Sequence, residues 1–140
     1  MFDPIKVYWA FITRVINADT FVASIDLGFH VSVTETFRVS DYDAPETFRP
    51  RNAAERKHGS EASYVAHLLL NRNRLLIITA KKQGKYGRYI ADVVIPQEAS
   101  CIKKDVAEQL SEVMVGPVTG YYYSAYMKAA GFSKRDSYAD

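Results

Sequence analysis

Three carboxylates and two arginines carry the chemical content of this sequence. Asp19 stands in the run Asn17-Ala18-Asp19-Thr20 between two apolar segments, and Asp43 and Glu46 flank Ala44-Pro45. Carboxylates gathered around one small volume repel one another, a cost relieved by protonating one member or by binding a hard cation through oxygen. Arg38, five residues before Asp43, and Arg88, just after Gly87, add permanently charged guanidinium forks. Such forks grip phosphate oxygens in bidentate fashion and stabilise the charge added in a pentacoordinate transition state. Alone, each residue has a plainer reading: Asp19 or Asp43 as an Asx-turn residue, Arg38 in a cross-strand pair with Glu35 or Asp41, Arg88 in a capped turn.

The pattern also predicts the elements that would hold these side chains. Residues 6–16 are apolar and β-prone with rough alternation, and residues 21–25 lead through the turn signal Asp26-Leu27-Gly28 into a third segment, residues 30–40. There Val31, Val33, Phe37 and Val39 share one face, and Arg38 lies on the opposite, polar face with Ser32, Thr34, Thr36 and Ser40. Pro45 removes a backbone donor and biases Ala44 towards an extended conformation, so a loop follows. Gly59-Ser60 reads as the cap of a helix with Ala62, Val65, Leu68 and Leu69 as its stripe, ending near residues 71–73. Residues 75–79 read as a buried strand, Gly84 to Gly87 as a turn and residues 89–95 as a fifth strand. Residues 103–115 read as a second helix, with Val106, Leu110 and Val113 inward and Gly116-Pro117 as its stop. Five strands with a helix bridging the third and fourth predict an α+β β-barrel with helices, a five-stranded Greek-key barrel of the OB-fold type. Its core spans about residues 6–116, followed by a tyrosine-rich tail, residues 117–140, with a polar, frayed end.

Composition sets the bounds. The 140 residues, 48% hydrophobic, 13% aromatic and 24% charged, suit a single globular domain and set aside disordered, collagen-like and coiled-coil classes. No run approaches the roughly 18 apolar residues of a membrane span, and Met1-Phe2-Asp3-Pro4 lacks the basic and apolar regions of an export signal. The expectation is an intracellular, cytoplasmic protein with no membrane partner. The single cysteine, Cys101, and three histidines offer no zinc cage, so any metal is expected on oxygen. Charge is segregated within the net +2: residues 1–47 hold three basic and seven acidic side chains, 48–91 ten and two, 92–140 five and seven. An acidic first third beside a basic middle can hold a cation next to a surface that attracts phosphates, although charge runs are commonly just solvated faces.

Taken in order, four blocks resemble the staphylococcal nuclease (thermonuclease) family: Asn17-Ala18-Asp19-Thr20-Phe21; Phe37-Arg38 followed by Asp43-Ala44-Pro45-Glu46-Thr47; Gly59-Ser60-Glu61-Ala62-Ser63; and Lys85-Tyr86-Gly87-Arg88. The resemblance covers about residues 15–95, with a weaker echo after Lys103. It implies an OB-fold nuclease in which Asp19, Asp43 and the backbone carbonyl of Ala44 coordinate Ca²⁺ and Glu46 positions or deprotonates the attacking water. Arg38 and Arg88 would hold the scissile phosphate, and Lys85 and Tyr86 a neighbouring one. The implied partner is nucleic acid, DNA and also RNA, cut with little sequence preference to 3′-phosphate and 5′-hydroxyl ends. An intracellular enzyme of that kind suits a virus or mobile element. Departures are Ala18, where the family often has glycine, Ala44, where threonine often precedes the motif proline, a longer hairpin between Asp19 and Arg38, and a poorly aligning tail. Tyr121, Tyr122, Tyr123 and Tyr126 either stack on bases or serve as core or subunit contact, the latter being favoured. Two other readings stand beside nuclease activity: a non-catalytic nucleic-acid-binding or scaffold barrel, and a protein-interaction module using the tyrosine tail. Monomer and dimer both remain open.

Overall fold

The computed structural model describes residues 6–83 and 87–138, with backbone alone for residues 79–83. Alternating apolar residues build β1 (Lys6–Asn17), β2 (Thr20–Gly28) and β3 (Val31–Val39) as an antiparallel meander. Then follow α1 (Ala53–Asn71), β4 (Leu75–Gln83), β5 (Arg88–Pro96), α2 (Lys104–Ala107), β6 (Val113–Val115), β7 (Val118–Tyr122) and α3 (Tyr123–Ala129). β4 pairs antiparallel with both β1 and β5, and β5 pairs parallel with β3 through Phe37↔Tyr89, Arg38↔Ile90 and Val39↔Ala91. That last pairing closes a five-stranded mixed barrel with α1 between its third and fourth strands, the architecture predicted from the pattern.

Inward residues at a period of two, Phe21, Ala23 and Ile25 on β2 and Ala91, Val93 and Ile95 on β5, meet Ala62, Ala66, Leu69 and Leu70 of α1 in one core. Each fully buried Leu, Ile or Phe contributes about 1.5–3 kcal/mol. Phe37 sits between Phe21 and Tyr89, its ring centroid 5.8 Å from each, which locks β3 against both neighbours.

Four expectations change. The helix begins at Ala53, not at Gly59-Ser60, because Asn52 caps it: the Asn52 side chain accepts from Glu55 N while Glu55 Oε1 accepts from Arg51 N, a reciprocal pair at 3.0 and 2.8 Å. Residues 103–115 are not one helix. α2 stops at Ala107, and Gly116-Pro117 turns a β6–β7 hairpin instead, because the end of β5 offers a ladder to β7 through Val94↔Tyr122, Ile95↔Tyr121 and Pro96↔Gly120. In β3 only Phe37 and Val39 are buried, while Val31 and Val33 are exposed, since β3 meets β5 only at residues 37–39 and its first half forms a two-stranded arm with β2. The tail is ordered through Tyr138 by long-range hydrogen bonds.

Candidate active site

Asp19 follows Ala18 in the tight β1–β2 turn. Its amide donates to Asn17 Oδ1 (3.1 Å), and its carbonyl accepts from Val39 N (2.8 Å), so both sides of the residue are pinned. The glycine often found at position 18 in the family is not needed here, because Ala18 is absent from the residues with positive φ. Its carbonyl accepts instead from the Tyr123 hydroxyl, a bond that ties the turn to α3. Strand register then does the positioning. Arg38 lies opposite Thr20, next to Asp19, and pairs with Ile90 on the other side, so Arg88, two residues before Ile90, shares its face.

At the end of β3, Asp41 adopts φ 59°, a left-handed conformation that Asp tolerates, and the chain turns into the carboxylate loop. Ala44 N donates to Asp19 Oδ2 at 2.8 Å, which brings the two distant acidic loops into direct contact. Arg38 lies between them, with Nη1 3.4 Å from Asp19 Oδ2, Nη2 bonded to Asp43 Oδ1, and further bonds to the carbonyls of Val39 and Tyr42. Arg38 thus pairs with these acids rather than with Glu35 or Asp41. Glu46 enters on the segment that crosses α1 at Gly59, where a Cβ would stand 2.9 Å from the carbonyl oxygens of Pro45 and Glu46. Gly59 is therefore a contact glycine inside the helix.

The far wall comes from the tail. Gly131, at φ 89°, closes α3 with Gly131 N donating to Lys128 O (3.1 Å) and Phe132 N to Met127 O (2.9 Å), a Schellman pattern that reverses the chain. The returning segment braces the carboxylate loop: Tyr42 Oη donates to Phe132 O (2.7 Å) and Lys134 N to Asp43 O (2.9 Å). Burial first, and the Asp19 carboxylate second, push the Tyr42 hydroxyl well above its ordinary 10, so it stays a neutral donor. Further along, His58 Nε2 donates to Gly131 O (2.7 Å) and Nδ1 accepts from Tyr138 Oη (2.8 Å), while Asn52 Nδ2 donates to Tyr138 O (2.8 Å).

The outcome is one cleft of about 360 Å³ whose walls include Asp19, Arg38, Asp43, Ala44, Glu46 and Arg88. Lys85 and Tyr86 lie outside the described residues. Lys134, on the same wall, was missed from sequence, because nothing local marks a lone lysine in a polar tail as returning to residue 43. The tyrosines divide: Tyr121, Tyr123 and Tyr126 are buried, whereas Tyr122 is half-buried. Among the described residues no three His, Cys, Asp or Glu side chains form a metal-binding group, so the tight triple-carboxylate cluster is not seen. The donors are nonetheless all oxygen. Asp19 keeps lone pairs beyond those used by Ala44 N and the Thr20 hydroxyl, and Asp43 is 77% exposed. Two carboxylates completed by carbonyl and water oxygens fit a hard, flexibly coordinated cation such as Ca²⁺.

Compared with known families, residues 36–136 match the model described as staphylococcal nuclease homologue, a span containing Arg38, Asp43, Glu46 and Arg88 but not Asp19. No curated protein matches the chain.

Proposed function

From a chain that belongs to the staphylococcal nuclease homologue family, we propose a Ca²⁺-dependent phosphodiester hydrolase, a nuclease acting on DNA and/or RNA with little sequence preference. The observation that carries this reading is the convergence of Asp19, Arg38, Asp43, Glu46 and Arg88 on one cleft. In it, Asp19, Asp43 and the Ala44 carbonyl would hold the cation, whose charge would screen the phosphate against an incoming nucleophile. Glu46 orients the attacking water and takes up its proton. Arg38 has N–H groups beyond those given to the loop carbonyls and Asp43, and with Arg88 it holds the phosphate oxygens as charge builds on them. The water oxygen bonds to phosphorus as the P–O5′ bond breaks, and a proton from solvent completes the departing 5′-hydroxyl, which leaves 3′-phosphate and 5′-hydroxyl ends.

A second reading, a barrel that binds nucleic acid without cutting it, is favoured by the position of Arg38, which already neutralises both aspartates. One experiment separates the two. Purified protein is incubated with single-stranded and plasmid DNA in Ca²⁺ or chelator. Calcium-dependent degradation is expected, with Glu46→Ala and Arg88→Ala about 10²–10³-fold slower at unchanged melting temperature. A folded wild type inert under both conditions, with salt-dependent binding indifferent to Ca²⁺ and to Asp19→Asn, sinks the hydrolase in favour of the binding barrel.

A further inference from the structure

Beside the cleft just described lies a second one, of about 380 Å³, whose walls include Arg38, Asp43, Lys128, Ser133 and Lys134. Arg38, Asp43 and Lys134 belong to both. The cations around them are held differently. Arg38 is paired with Asp19 and Asp43, and Lys128 Nζ lies 3.0 Å from Asp41 Oδ2. Lys134 forms no salt bridge with any described residue and acts on the Glu55 carboxyl only through its field, so where the two clefts meet its ammonium has no contacting acid. Its backbone is fixed by the bond from Lys134 N to Asp43 O at 2.9 Å, while its four-carbon stem leaves the ammonium reach over both openings. A fixed origin, an ammonium held in no ion pair among the described residues and the hydroxyl-bearing Ser133 beside it suit an anionic phosphodiester oxygen.

We infer that the two clefts are consecutive phosphate subsites for one nucleic-acid strand, and that Lys134 binds the phosphate next to the scissile one, with Ser133 and Lys128 on the outer wall. This rests on the phosphodiester reading above and adds a contact from the C-terminal segment, separate from the β4–β5 turn.

The test compares wild type, Lys134→Ala, Lys134→Arg and a control of equal charge change, Lys104→Ala on α2. Binding of a labelled oligothymidylate of about eight nucleotides is read by anisotropy in chelator. Turnover in Ca²⁺ is read on that oligomer and on thymidine 5′-(p-nitrophenyl phosphate), which has a single phosphodiester. Lys134→Ala should weaken oligomer binding about tenfold at low salt and reduce the slope of log affinity against log salt by about 0.7. It should raise KM on the oligomer with kcat within about twofold, change the small ester by much less than the oligomer, and be largely rescued by Lys134→Arg. Equal loss on ester and oligomer overturns the second subsite, as does an effect no larger than that of Lys104→Ala. Wild type that binds the oligomer but cleaves neither substrate overturns hydrolysis alone, leaving anisotropy to decide Lys134. Wild type that neither binds the oligomer in chelator nor cleaves either substrate in Ca²⁺ overturns both.

Discussion

Glu55 shows how single residues bind the distant parts of this molecule. It is fully buried, its Oε1 accepting from Arg51 N and its Oε2 lying 3.5 Å from Arg51 Nη2 without a hydrogen-bond partner. The Arg51 amide foremost, then the Arg51 guanidinium, outweigh burial and hold its carboxyl below the ordinary 4.5. A depressed folded value means that the ionised carboxylate stabilises the fold above 4.5, and that this contribution is lost as pH falls through the lowered value. Glu55→Gln should therefore melt below wild type at neutral pH, with the gap narrowing as the pH falls below 4.5; a gap constant with pH in thermal melts would contradict this. The residues that could do chemistry were marked out in the sequence by type and spacing. Asp19, Arg38, Asp43, Glu46 and Arg88 each have a plainer use alone and were singled out together through the resemblance of their blocks, and they do meet in one cleft. Lys134 was not, since its role depends on a contact with residue 43 that no local pattern encodes.

Among the elements, α1 matters as much for what it excludes as for what it buries. Gly59 touches the segment carrying Glu46, and a methyl there would lie 2.8 Å from Thr47 Cγ2 and 2.9 Å from two carbonyl oxygens. Gly59→Ala gains about 1 kcal/mol of helix propensity but incurs about 1–3 kcal/mol of overpacking against backbone that must move. The expected result is a modest net destabilisation in denaturant melts together with about a tenfold or greater fall in kcat, because the Glu46 segment is displaced. Strong kcat with Ala at 59 would mean that this contact does not set the position of Glu46. In sequence the same glycine looks like a cap, since helical periodicity is clearest after it. The β6–β7 hairpin was hidden for a related reason. Val106, Leu110 and Val113 fit a helical period, and only the waiting ladder on β5 decides that Val113–Val115 become a strand.

Across the whole molecule, the barrel was the part most clearly foreshadowed, its closure resting on the β3–β5 pairing at residues 37–39. The last described segment adds no strand to that barrel, yet Phe132, Lys134 and Tyr138 hold Tyr42, Asp43, Asn52 and His58. A chain ending at Ala130 is therefore expected to keep amide protection in β1 to β5, to melt at lower temperature, and to cleave DNA at least about tenfold more slowly where its barrel is intact. Hydrogen exchange and cleavage measured on the same sample check this; full turnover without residues 131–140 would show the brace to be dispensable. Ribosomes build proteins in one direction, so the acids and arginines of the cleft exist well before the residues that steady them. During that interval the loop bearing Asp43 lacks the backbone bond that Lys134 later gives it.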